Sequence, residues 1–120
     1  AELSGAFNGL DTRHEEAATM ARLVLAHARR IESEGPLVAL GHDKLGDAAA
    51  QTGDLETAVA EYRKALAIQR RLAGDTSTEV ARTLSVLASV HGRRGDYESA
   101  GPLIEEAMEI TKSLRPVVFV

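Results

Sequence analysis

The chain has 120 residues, 44% apolar and 27% charged, with a formal charge of −4 and no cysteine. That balance matches one globular domain and excludes wholesale disorder. It also excludes a disulfide, a thiolate nucleophile or a Cys-ligated zinc, and it lacks the concentrated basic surface that nucleic acid requires.

Aromatic residues make up only 3%, and the abundance of alanine and leucine suits closely packed helices better than a sheet. No apolar run approaches ~18 residues, so no membrane span is expected. The opening AELSGAFNGL has neither the basic start nor the apolar core of a signal peptide. The chain does not begin with Met, as a trimmed or excised piece would not. Freedom from cysteine is compatible with a reducing compartment, and the cytoplasm is the expected location.

In chain order, Glu2 to Phe7 reads as a short helix broken by Asn8-Gly9. Thr12 with Glu15 fits a capping box, with Asp11 as an alternative cap, opening a helix from about Arg13 to Glu32. Its apolar face is Ala17, Ala18, Ala21, Leu25, Ala28 and Ile31. Gly35-Pro36 ends it. A second helix runs from about Leu37 to Gln51. Gly53 turns the chain and Asp54 caps a third helix to about Leu72. After Gly74-Asp75, Thr76 with Glu79 reads as another capping box, opening a helix to about Arg94. Gly95 turns, Asp96 caps a last helix to about Leu114, Pro102 falls near its first turn, and Pro116 stops it.

The stretch GDLETAVAEYRKALAI at Gly53–Ile68 returns in altered form as GDYESAGPLIEEAMEI at Gly95–Ile110, a period of 42 residues. In this register Leu45 meets Leu87, Gly46 meets Ala88, Ala58 meets Ala100, Tyr62 meets Ile104, and Ala65 meets Ala107. The small pairs let helices approach; the large pairs fill the space between hairpins. The pattern predicts an all-α solenoid of antiparallel helix pairs, about 2.5 repeats long, in which stacking hides faces that one hairpin cannot bury alone. Its expected parts are a divergent partial repeat at 1–36, repeats at 37–74 and 75–116, and a tail at 117–120.

These residues resemble the tetratricopeptide repeat (TPR): Leu45-Gly46 and Leu87-Ala88, the Gly-Asp turns, Ala58 and Ala100, Ala65 and Ala107. The 42-residue period, about one extra turn per helix over the usual ~34, resembles the kinesin-light-chain type. ALAIQRRLAGDTSTEVARTLSVLA and RRGDYESAGPLIEEAMEI are similar to that type's segments. Ala49 and His91 depart from the Tyr often found at those positions. The resemblance implies a protein-interaction module whose first helices line a concave groove for an extended peptide or partner segment. By register the groove positions are Leu40, Asp43, Asp47, Ala50 and Gln51, then Arg82, Ser85, Ser89, Gly92 and Arg93. Asp43 and Asp47 replace the basic residues with which chaperone-binding TPRs clamp a carboxylate. The implied groove is acidic at one end and basic at the other.

No catalytic residue, metal ligand or cofactor is expected. His14, His27, His42 and His91 form no close ligand pair, and the last two read as packing or groove-edge residues. Glu105, Glu106 and Glu109 read as a solvated face, and Ser85 and Ser89 have no evident base. A second expectation is a homo-oligomer, because the repeat ends, including Val117–Val120, carry no polar capping helix.

Overall fold

The structure, a computed structural model, describes residues 2–31 and 35–114, with the backbone alone at residues 2–12, 29 and 31. The described residues form five helices: α1 (Glu2–Ile31), α2 (Pro36–Thr52), α3 (Leu55–Ala73), α4 (Thr78–Arg93) and α5 (Tyr97–Leu114). The starts of α2 and α4, Pro36 and Thr78, lie 42 residues apart, as do those of α3 and α5, Leu55 and Tyr97. Packing runs α1 on α2, α2 on α3, α3 on α4 and α4 on α5, the nearest-neighbour arrangement of a helical solenoid.

The two Gly-Asp turns are built alike. Gly53 and Gly95 take φ of 88° and 79°, a region L side chains rarely adopt. The amides of Asp54 and Asp96 donate to the carbonyls of Ala49 and His91, each at 2.9 Å. Asp54 Oδ1 accepts from Thr57 N and Asp96 Oδ1 from Ser99 N, each at 3.2 Å. One residue ends a helix, and the next starts its antiparallel partner.

Four local expectations change. The first two predicted helices are one, because α1 runs unbroken through Asn8, Gly9, Asp11 and Thr12; a glycine in a helix interior costs only about 1 kcal/mol against alanine, too little to force a break. The cap of α4 is Ser77, whose Oγ accepts from Val80 N at 3.2 Å, not Thr76. Pro102 lies inside α5 rather than in its first turn; it denies the carbonyl of Glu98 its usual donor. Ala17 is exposed while Ala21, Leu25 and Ala28 are buried, because among the described residues α1 packs chiefly on α2. Ile31 as a core residue, Pro116 and Val117–Val120 fall outside the described side chains.

The small residues of the repeat are where helices touch. Ala58, Ala65, Ala88, Ala100 and Ala107 are all buried. A Cβ at Gly46 would stand 2.7 Å from the ring of Tyr62, and one at Gly41 would stand 2.5 Å from Leu25. Tyr62 is 2% exposed and packs with Ala49, Ala58, Val59, Leu87 and Val90. Its repeat partner Ile104 was expected to fill space in the same way but is 47% exposed. The difference is positional: α4 covers Tyr62, whereas no described helix follows α5.

Gly46→Ala and Ala65→Leu should each cost about 1–3 kcal/mol by overpacking, measured by denaturant unfolding. Ala60→Leu, on the exposed side of α3, should stay within about 0.5 kcal/mol of the parent chain.

Candidate partner-binding cleft

Side chains tie helices that are not adjacent in sequence. Arg82 on α4 donates through Nη2 to Asp43 Oδ2 on α2. Arg93 on α4 donates to the carbonyl of Ala50 on α2 at 3.1 Å. Arg70 on α3 makes two hydrogen bonds to Glu106 on α5, at 2.7 and 3.0 Å. The hydrogen bond to Glu106 is the main reason the Arg70 guanidinium is held still further from deprotonation, as the one to Asp43 is for Arg82. Glu106 is therefore a tie between hairpins and not part of a solvated face; Glu105 and Glu109 are exposed as expected.

α2 and α4 flank a cleft of about 410 Å³, completed by the last turns of α3. Leu40, Asp43 and Arg82 all line it, with Gln69 and Leu72 from α3 and Glu79 from α4. Gln69 is fixed from behind, where Thr83 Oγ1 donates to its Oε1 at 2.6 Å within the core. Asp43 is buried, so its charge meets Arg82 within the wall; this replaces the expected groove with acid at one end and base at the other.

The other sequence-predicted positions are distributed around this cleft. Asp47 and Gln51 share a hollow of about 380 Å³ with Met20 and Val24 of α1, and Leu40 reaches it too. Asp47 Oδ1 accepts the hydroxyl of Tyr62. Burial first, then the bond to Asp47 and the charges of Asp47 and Asp43, push the Tyr62 phenol well above its ordinary value. Ser85 is exposed, donates to Ala81 O at 3.1 Å and borders a hollow with Ile104 and Met108 of α5. Ser89 and Arg93 are exposed on α4.

The histidines divide as their repeat positions suggest. His42 is buried, with Nδ1 2.7 Å from Glu61 Oε2. His91 is buried under the second Gly-Asp turn, its Nδ1 3.6 Å from Asp96 and without a hydrogen-bond partner. Among the described residues no group of His, Cys, Asp or Glu is arranged to hold a metal ion, and no helix is long and apolar enough to cross a membrane.

Known proteins place this geometry. The tetratricopeptide repeat family matches residues 37–113. The chain belongs to the tetratricopeptide repeat family. It is similar to Protein KINESIN LIGHT CHAIN-RELATED 1 of Arabidopsis thaliana, 30% identical over 73 residues, which is 61% of this chain and 12% of that protein. The crystal structure of BtubC (BKLC) from P. vanneervenii superposes with a TM-score of 0.81 at 27% identity, over 87% of this chain and 41% of that one. The fold is thus an all-helical TPR solenoid of the kinesin-light-chain type, a scaffold for protein–protein interaction in general.

Sequence reasoning missed the ties Arg82–Asp43 and Arg70–Glu106. Their signal was present: opposite charges 39 and 36 residues apart, close to one repeat length, where side chains on successive hairpins meet.

Burial lowers the pKa of His91 below the ordinary 6.5; Arg63 and Arg94 act in the same direction and Asp96 opposes them. The unfolded chain takes up a proton near pH 6.5 that the folded chain resists, so stability should fall as pH drops through 6.5. His91→Gln should flatten that part of a pH series of unfolding midpoints. The caps Asp54 and Asp96, held below the ordinary 3.8 mainly by bonds to Thr57 and Ser99, weaken only at lower pH, below about 4.

Proposed function

We propose that this chain binds an extended segment of a protein partner across α2 and α4. The segment enters the cleft at Leu40, Asp43 and Arg82 and continues past Asp47 and Gln51 on one side and Ser85, Ser89 and Arg93 on the other. The observation that carries this reading is the cleft itself, an open hollow between two first helices whose wall holds a pre-anchored guanidinium. Arg82 is fixed by Asp43, so little of its freedom remains to be lost when a partner docks. Asp47, Gln51, Ser85, Ser89 and Arg93 supply polar groups at the edges, where extended backbone finds hydrogen-bond partners. In this reading the chain acts by binding and without catalysis, since among the described residues no set of groups converges on a point where a bond could be made or broken.

Peptides selected from a display library on the parent chain test this. Asp47→Lys and Arg93→Glu should each weaken their binding about fivefold or more at low salt. Selected peptides indifferent to both reversals would overturn the reading.

A second reading concerns the ends of the stack. Ile104 and Met108 are the register partners of Tyr62 and Leu66, yet they are exposed, as is Leu114. At the other end Met20 and Leu23 of α1 are exposed as well. We propose that a second copy covers the α5 face, where internal repeats bury the same positions under the next helix. Light scattering should show a mass above the monomer that Ile104→Glu with Met108→Glu reduces to the monomer; a monomer in the parent chain at high concentration would reject it.

A further inference from the structure

We infer that the cleft between α2 and α4 is a socket for one lysine or arginine side chain of the bound segment, an inference that rests on the groove reading above. Asp43 supplies the first ground. Its side chain is 3% exposed and its Oδ2 is held by Arg82, but its Oδ1 is buried with no hydrogen-bond partner. A buried carboxylate oxygen left unpaired is costly, and the cost is removed by a donor, most strongly by a charged one.

The charge of the walls supplies the second. Two carboxylates, Asp43 and Glu79, face the cleft against one guanidinium, Arg82. A single incoming positive charge balances the set; an incoming carboxylate doubles the imbalance and meets a buried acid. The remaining surface supplies the third. Leu40 and Leu72 are exposed apolar side chains at the cleft, and Ala39 and Ala73 extend that surface. A methylene stem packs on such a wall while its head remains polar, the division of labour that lysine and arginine side chains show elsewhere. Leu40, 44% exposed, stands at the mouth and is the group that turns to admit the head group to Oδ1, while Arg82 stays on Oδ2.

This chemistry is opposite in sign to a carboxylate clamp. It makes the chain select a basic residue with apolar neighbours, and the repeat register explains why the two full repeats do not each carry such a socket among the described residues. The position equivalent to Asp43 in the next repeat is Ser85, and that equivalent to Arg82 in the preceding one is Leu40.

The test is a random peptide library displayed against the full chain, then affinity measurements on the selected peptides. The expected result is a shared Lys or Arg beside apolar residues. Norleucine, which keeps the stem and removes the charge, should weaken binding about tenfold at that position. On Asp43→Asn the Lys-to-norleucine difference should shrink to about twofold, and Glu79→Gln, at an exposed site that leaves the fold intact, should reduce it part of the way. If Asp43→Asn fails to fold, the norleucine peptide and Glu79→Gln decide the matter alone. Selected peptides with no basic preference, or norleucine binding as well as lysine, would overturn the socket and leave the groove standing. Failure to select any peptide would overturn both.

Discussion

The stack depends on one close approach: the ring of Tyr62 lies where Gly46 has no side chain. That contact brings α2 against α3 near the middle of both helices. It leaves the rest of the ring for Leu87 and Val90 of α4, so one side chain joins three successive helices. The hydroxyl then needs an acceptor, because a buried phenol without one loses much of what its ring gains. Asp47, one residue beyond Gly46, supplies it. Glycine, acceptor and ring are thus one unit, and it fixes the height at which the second hairpin meets the first.

Long polar side chains set the remaining geometry. Apolar packing in a solenoid joins each helix only to its neighbours, which leaves the angle between successive hairpins loosely determined. Arg82 and Arg93 reach from α4 to α2, and Arg70 reaches from α3 to α5. Arg82 acts at the cleft and Arg93 near the other end of the same two helices, so the pair holds α2 and α4 at a set spacing; the third acts between second helices. Partly exposed ion pairs contribute little stability individually. Their effect here is geometric, since each fixes a distance that apolar contacts leave free.

Much of the architecture was legible in the sequence because it rests on short-range rules. The positive-φ glycines and the Asp caps of α3 and α5 are local, and the 42-residue register told which alanines touch. The misreadings have physical causes. Asn8-Gly9 resembles a break because its two residues are poor helix formers, but propensity of about a kcal/mol does not decide a helix end. Ile104 was read as a filler because its register partner is one, and register says nothing about whether a further helix arrives. Asp43 and Arg82 were each placed at the groove, yet their mutual bond joins residues on different hairpins and depends on rotamers that no single-helix pattern encodes. Glu106 was read as solvated for the same reason.

Helices that pack mainly on their neighbours in sequence also constrain how the chain reaches this state. The connections between α2, α3, α4 and α5 are only a few residues long, so each contact closes a small loop at low entropic cost. A topology of this kind folds quickly and without one obligatory nucleus, because any hairpin can form first and extend toward either end. Opening follows the reverse route. Among the described residues α1 packs chiefly on α2 and α5 chiefly on α4, so these outer helices detach first, while the helices between them, covered on both sides, exchange their amide protons last.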